Sequence, residues 1–182
     1  MVQSILTFLT VIFVAFLAQT TIVPYFSIGK IQPDLVLVVV SIYAFIEGPI
    51  LGSLAGFTGG LLQDLMTIRN MGLGSLSKTV AGYFAGLMEK NLIGENLILP
   101  MVAVFSISLI SQIVYVLLSF LVGDIIALHE VFFRLIIPCA LYDGLLALPI
   151  YLLLLKLLMR QKDVYYLEDK CISKKKGKLR LK

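Results

Sequence analysis

The stretch GPILGSLAGFTGGLLQD, residues 48–64, carries the pattern from which the fold is predicted. Within it glycine recurs at every fourth position, namely Gly48, Gly52, Gly56 and Gly60. Residues four apart lie on the same face of a helix. A stripe of small residues lets two helix backbones approach closely in a lipid bilayer, where apolar burial does not drive helices together. The stretch therefore predicts a membrane helix that packs tightly against a neighbour.

The next apolar segment repeats the spacing at Gly82 and Gly86. We therefore expect close packing at Gly52, Gly56, Gly60, Gly82 and Gly86, and we expect the stripe to form part of the surface that receives a partner helix. Upstream, Glu47-Gly48-Pro49 interrupts the apolar run of a second helix and starts the third without a loop. This predicts a tight antiparallel hairpin.

Composition and charge agree with a membrane location. Of the 182 residues 59% are apolar and 14% charged, with a mean hydropathy of +1.00, whereas about a quarter of the residues in a soluble domain are charged. Ten of the 15 Lys and Arg residues fall within 156–182. The few charges of the preceding part cannot cover a water-soluble surface. This excludes a soluble globular enzyme and predicts an integral membrane protein.

A spanning helix needs about 20 mostly apolar residues, and six segments qualify or nearly qualify: 2–23, 33–46, 49–66, 73–88, 97–122 and 135–158. We predict an all-α, multi-pass bundle of about six transmembrane helices in residues 1–160 and a basic cytoplasmic tail in 161–182. The first 29 residues carry no charge, which favours a retained helix over a signal peptide. The positive tail places the C-terminus in the cytoplasm, and six crossings place the N-terminus there too.

Four ionisable side chains fall in or beside the predicted spans, where charges are costly: Asp34, Asp64, Lys78 and Asp143. Pro33 suits the first position of the second helix, with Asp34 in its first turn. Asp64 and Lys78 flank a short turn, so we expect them to pair or to share a polar cluster. The alternative is that Lys78 extends to the interface while Asp64 is solvated.

Asp143 lies deeper, about 13 Å along the axis from the predicted start of the sixth helix. Three roles remain open for it: a carboxyl that hydrogen-bonds neighbouring helices, a ligand- or partner-binding group, or a group in proton translocation. The last role needs a chain of ionisable groups, and the sequence indicates no second member at this depth.

The chain shows no nucleophile elbow, phosphate loop or metal-ligand pair, and it has a single histidine, His129. We therefore predict no catalytic residue, no cofactor and no metal. The basic tail follows a membrane span directly, so attraction to anionic lipid headgroups explains it better than nucleic acid does. A cytoplasmic protein partner is the alternative for the tail.

Several motifs occur in order across residues 33–86: Pro33-Asp34-Leu35, Gly56-Phe57, Gly60-Leu61-Leu62-Gln63-Asp64, Met71-Gly72-Leu73 with Leu76, and Gly82-Tyr83 with Gly86. In this order and spacing they resemble the rod shape-determining protein MreD family. Beyond residue 86 the resemblance rests on length, helix count and the prolines of the last helix, Pro138 and Pro149. Asp143 departs from the pattern, in which a polar uncharged residue such as Asn is expected.

The resemblance implies a non-enzymatic, multi-pass protein of the bacterial plasma membrane. Members of that family associate with MreC, a single-span membrane protein, and with the MreB filament and the RodA–transpeptidase synthase, to organise side-wall peptidoglycan synthesis. The fold is expected to be similar to the substrate-binding subunits of energy-coupling-factor vitamin transporters.

That likeness supplies the alternative function, a transporter substrate-binding subunit. Asp34, Asp64, Arg69 and Lys78 would then line an outward pocket. Such subunits carry a small-xxx-small motif on their first helix, but here Ala15 is followed four residues later by Gln19, and Ala18 by Ile22. A third class is a small ion channel or proton carrier.

Overall fold

A computed structural model describes residues 2–27, 31–66, 72–88, 98–123 and 131–154. In these residues the protein is all-α. Its helices are α1 (Val2–Thr21), α2 (Leu35–Glu47), α3 (Pro49–Asp64), α4 (Leu73–Leu87), α5 (Ile98–Leu121) and α6 (Phe132–Leu154). A 3-10 turn, Val23–Phe26, follows α1, and α6 opens with the π-helical turn Phe132–Ile136.

The helix bounds agree with the predicted segments to within a few residues, with two corrections. Leu35 is the first residue of α2, so Pro33 lies outside the helix and Asp34 caps it. The sixth helix begins at Phe132, before the predicted segment 135–158, so Arg134, which the prediction left in the preceding loop, lies in its first turns. The basic tail, the boundary at residue 160 and the loops at 67–71 and 89–97 lie outside the described residues.

Two of the helices, α5 and α6, are long and apolar enough to cross a membrane. By contrast α2 has 13 residues and covers about 20 Å, well short of the roughly 30 Å of a bilayer's apolar layer. About six spans were expected, of which the second was short enough to be tilted little or to cross incompletely, and that count stays a prediction.

The shortest of these helices, α2, is the centre of the bundle. Its residues from Val36 to Phe45 are all buried, and it contacts α1, α3, α4 and α5. A helix that is apolar on every side is stable only when neighbours cover every side. The continuous apolar run of α2 therefore reflects its central position.

The α2–α3 hairpin is as tight as predicted. The N–H of Gly48 donates to the carbonyl of Ala44 at 2.9 Å and ends α2, and Pro49 begins α3. Gly48 has φ = 90°, in the left-handed region that other residues rarely adopt. The reversal therefore depends on glycine at this position.

The glycine stripe of α3 packs against α4, and these two helices make the most extensive contact in the described residues. A Cβ at Gly52 would lie 2.5 Å from the carbonyl oxygen of Gly82, and one at Gly56 would overlap the carbonyl of Lys78. Gly60, Gly82 and Gly86 likewise face backbone atoms of the opposite helix. Because α4 covers this face, the partner surface expected on the stripe has to lie elsewhere.

We expect Gly56→Ala to destabilise the bundle, because the added methyl overlaps backbone atoms that cannot move independently of α4. Overpacking of this kind costs about 1–3 kcal/mol. The measurement is the thermal unfolding midpoint of the purified protein in detergent. The matched control is Gly144→Ala, where the nearest atoms to the new Cβ are 3.3 Å away; equal losses at the two positions would contradict close α3–α4 packing.

Candidate functional site

Seven polar side chains of the bundle meet at the start of α2. We call Gln19, Asp34, Gln63, Lys78, Ser108, Gln112 and Asp143 the α2-entry cluster. Asp34 is its centre and the N-cap of α2: its Oδ1 accepts hydrogen bonds from the N–H of Leu37 at 3.0 Å and from Nε2 of Gln63 at 3.1 Å. Its Oδ2 forms an ion pair with Nζ of Lys78 at 2.9 Å.

The ion pair expected between Asp64 and Lys78 is therefore wrong. Asp64 is buried, and its Oδ2 accepts hydrogen bonds from the backbone N–H groups of Gly72 at 3.0 Å and Ser75 at 2.8 Å. The first turn of a helix presents N–H groups that have no partner within the helix. Asp64 satisfies two of these groups at the start of α4, and Lys78, one turn further along, reaches Asp34 instead.

Asp143, on α6, belongs to the same cluster although it lies 109 positions from Asp34. Its residue is 1% exposed. Its Oδ1 accepts from the backbone N–H of Asp34 at 2.7 Å, and its Oδ2 accepts from the hydroxyl of Ser108 at 2.5 Å. The hydroxyl oxygen of Ser108 in turn accepts from Nε2 of Gln112 at 3.0 Å. The carboxyl thus joins α6 to α5 and to the start of α2.

The prediction that Asp143 has no companion at its depth is also wrong, and the length of α2 gives the reason. A full-length helix would place Asp34 at the membrane surface, far from the middle of α6. Because α2 is short, it begins inside the bundle, level with Asp143. Asp34 and Lys78 thereby join a carboxyl that looked isolated in the sequence.

The chain that leads into α2 is not helical, so its backbone groups need other partners. Gln19, on α1, supplies two: its Oε1 accepts from the N–H of Leu35 at 2.7 Å, and its Nε2 donates to the carbonyl of Pro33 at 2.9 Å. Non-helical backbone at membrane depth is tolerated only where protein or water satisfies it. Gln19 on α1 and Asp143 on α6 thus supply the hydrogen-bond partners of the backbone that leads into α2.

Sequence reasoning missed four members of the cluster, which are uncharged: Gln19, Gln63, Ser108 and Gln112. A usable signal was present in α5, where Ser108 and Gln112 are four residues apart and so share a helix face. Polar groups on one face of an otherwise apolar helix indicate a polar contact in the bundle interior.

A cavity of about 500 Å³ adjoins the cluster, between α2, α4, α5 and α6. Its polar lining includes Asp34, Ser77, Lys78, Ser111, Gln112 and Asp143. The half-buried free thiol of Cys139 also lines it. Both carboxyl groups already have partners within the bundle: Asp143 accepts hydrogen bonds from Asp34 and Ser108, and Asp34 pairs with Lys78.

The comparisons with known proteins give one match. The family model described as rod shape-determining protein MreD matches residues 2–161, which include each of the six described helices and every member of the α2-entry cluster. No curated protein and no solved structure matches the chain.

Removing the charge of Lys78 alone should destabilise the protein more than removing both charges of its pair. Lys78→Met leaves the Asp34 carboxylate without its cation, which costs about 3 kcal/mol. Adding Asp34→Asn removes that charge and keeps an oxygen to accept from Leu37, so the double variant should recover part of the loss. The measurement is the free energy of unfolding in detergent for both single variants and the double variant. Strictly additive losses would contradict the ion pair.

Asp64→Ala should cost about 1–2 kcal/mol, the usual effect of losing an N-terminal helix cap. Its loss should add to that of Lys78→Met within about 0.5 kcal/mol, because the two side chains have different partners. The same unfolding measurement gives the coupling. If the coupling between Asp64 and Lys78 were as large as that between Asp34 and Lys78, the result would contradict the structure and support the pair predicted from the sequence.

Proposed function

We propose that this chain, which belongs to the family of rod shape-determining proteins MreD, works as a non-enzymatic, multi-pass membrane component that organises side-wall peptidoglycan synthesis. Family membership gives the coarse role, in cell shape, and the membrane location. The family is a structural one and is not a known enzyme family. How the chain acts within the shape-determining machinery is the part we propose.

The observation that carries the proposal is the match over residues 2–161, and the site is compatible with it. The ionisable groups of the α2-entry cluster have partners within the bundle: Lys78 pairs with Asp34, and Asp143 accepts from the backbone N–H of Asp34 and from the hydroxyl of Ser108. These contacts join α4, α5 and α6 to the start of α2, and Gln19 joins α1 to it. A bundle held in this way is suited to presenting a constant surface to partners.

We infer that the main partner is an MreC-like single-span membrane protein, with the RodA–transpeptidase synthase and MreB as further members of the assembly. Large apolar side chains are exposed on several helices, among them Phe13, Phe57 and Leu117. In a bilayer such faces meet lipid or the helix of another protein. The partner helix is expected on one of these faces, since the glycine stripe is covered by α4.

The proposed topology has both termini in the cytoplasm and the basic tail on anionic lipid. The start of α2, the start of α4 and the end of α5 lie at one end of the bundle, because their residues line one cavity. In the proposed orientation that end faces away from the cytoplasm. The α2-entry cluster then lies within the outer half of the bundle, level with the middle of α6.

The cavity is the observation that favours the second candidate, a substrate-binding subunit of an energy-coupling-factor vitamin transporter. The first helix argues against it. Gln19 stands where the docking motif needs a small residue, and both ends of its amide are engaged in the bundle interior. Saturable vitamin uptake that depends on the chain would favour this candidate over the shape-determining role.

Depletion of the protein from a rod-shaped bacterium should produce round or bulging cells, and the chain purified in mild detergent should carry a single-span membrane partner. Complementation with Leu54→Ala, at an exposed position of α3, should restore the rod shape. Gly56→Leu should not restore it, because the new side chain separates α3 from α4. The measurements are cell width by microscopy and the composition of the purified complex. Unchanged rods after depletion would refute the proposal.

A further inference from the structure

The cavity beside the α2-entry cluster has the size of a small-molecule site. Its volume of about 500 Å³ falls in the range of about 300–1,000 Å³ that is typical of ligand pockets. The aliphatic side chains of its lining include Leu37, Val116, Val131, Leu135 and Ile136. Such a lining suits a ligand with an apolar body, and the polar side chains of the lining decide which polar group that ligand carries.

The ionisable groups of the lining leave no charge for a ligand to compensate. Asp34 and Lys78 form an ion pair at 2.9 Å, so their charges are balanced. The Asp143 residue is 1% exposed, has no ion-pair partner among the described residues, and has both oxygens hydrogen-bonded within the bundle. Burial favours the neutral form of such a carboxyl group. A neutral ligand therefore fits this lining.

Two buried side chains of the lining, Lys78 on α4 and Ser111 on α5, have hydrogen-bond donors without an acceptor. The hydroxyl of Ser111 has no hydrogen-bond partner in the described part of the chain, although its residue is only 4% exposed. An ammonium group has three N–H donors, and the described residues give that of Lys78 one partner, Asp34. The Lys78 side chain is 10% exposed, so its remaining donors are also largely removed from bulk water.

The carboxylate beside these donors has no oxygen left for them. Oδ1 of Asp34 accepts from the N–H of Leu37 and from Nε2 of Gln63, and its Oδ2 pairs with Lys78. A buried donor that lacks an acceptor has lost its hydrogen bonds to water without replacement, which is unfavourable. The buried lining thus has an excess of donors, and a ligand that brings an acceptor oxygen would satisfy them.

We propose that the cavity binds a neutral molecule that carries a carbonyl group on an apolar body. The carbonyl oxygen accepts hydrogen bonds from Ser111 and Lys78, and the body lies against the aliphatic side chains. This inference goes beyond the role in cell shape and does not depend on it. The carbonyl group has two sources, the acyl ester of a membrane lipid and an ester or amide dissolved in water, and the experiment distinguishes them.

The test uses the full chain in nanodiscs of an ether-linked phosphatidylcholine, a lipid that has no acyl carbonyl. Isothermal titration calorimetry with N,N-dimethylhexanamide, corrected for heats in protein-free discs, should show saturable binding. The control ligand is N,N-dimethylhexanethioamide, which has sulfur in place of the carbonyl oxygen and is otherwise identical. Sulfur is a weak acceptor, so the thioamide should bind at least about threefold more weakly, although it is the more apolar of the two.

A pair of variants on α5 tests the location. Ser111→Ala removes the hydroxyl without adding bulk, so it should raise the Kd for the amide by at least about threefold and leave the Kd for the thioamide unchanged. The thermal unfolding midpoint without ligand should not fall, since this hydroxyl has no partner among the described residues. Ser106→Ala makes the same change on the same helix outside the lining and should leave both Kd values unchanged.

Three results would each overturn the proposal. The first is the absence of saturable amide binding in the ether-lipid discs. The second is a thioamide that binds as tightly as the amide, and the third is a Ser111→Ala variant that binds the amide like the unaltered chain.

Replacing part of the ether lipid by diacyl phosphatidylcholine of the same chain length separates the two sources. Competition, seen as a higher apparent Kd for the amide, would support the proposal and identify the acyl ester of a lipid as a ligand. An unchanged Kd, with Ser111→Ala still defective, would support it with a soluble ester or amide as the ligand.

Discussion

The hydrogen bond from the backbone N–H of Asp34 to the carboxyl group of Asp143 is the contact on which the arrangement of the bundle depends. Backbone groups outside a helix need partners wherever water is excluded. Because α2 begins inside the bundle and Pro33 before it is buried, the backbone groups that lead into the helix take their partners from other helices. Asp143 from α6 and Gln19 from α1 satisfy them. The central helix is thus fixed at its start by the first and the last helices of the described chain.

Lys78 takes part both in the close packing of the glycine stripe and in the α2-entry cluster. The carbonyl of Lys78 lies where a Cβ at Gly56 would be, so this glycine allows α4 to approach α3. The ammonium of Lys78 then reaches Asp34 on α2. Packing of small residues sets the distance between helices but leaves them free to slide. Directional hydrogen bonds and the ion pair fix their register, which apolar contacts alone specify poorly.

The features predicted from the sequence are those that depend on near neighbours along the chain. Helix bounds, the turn at Gly48 and the close approach at Gly52 and Gly56 follow from local periodicity and from single residues. The α2-entry cluster does not, because it joins residues 109 positions apart and depends on how deep α2 begins. The sequence predicts a pair of Asp64 and Lys78 because both residues lie in one hairpin. In the structure the Asp64 carboxylate instead accepts hydrogen bonds from N–H groups at the start of α4.

The presence of charge in this interior is itself informative. Replacing a buried ion pair by apolar side chains is often neutral or stabilising, so stability alone does not require Asp34 and Lys78. Their pairing joins α4 to the start of α2 at 2.9 Å and so favours this position of the two helices. Asp34 in addition remains a quarter exposed toward the cavity. That exposure lowers the desolvation cost of the Asp34 carboxylate, so the pair can set the position of α4 against α2 at a smaller loss of stability than a fully buried pair would cause.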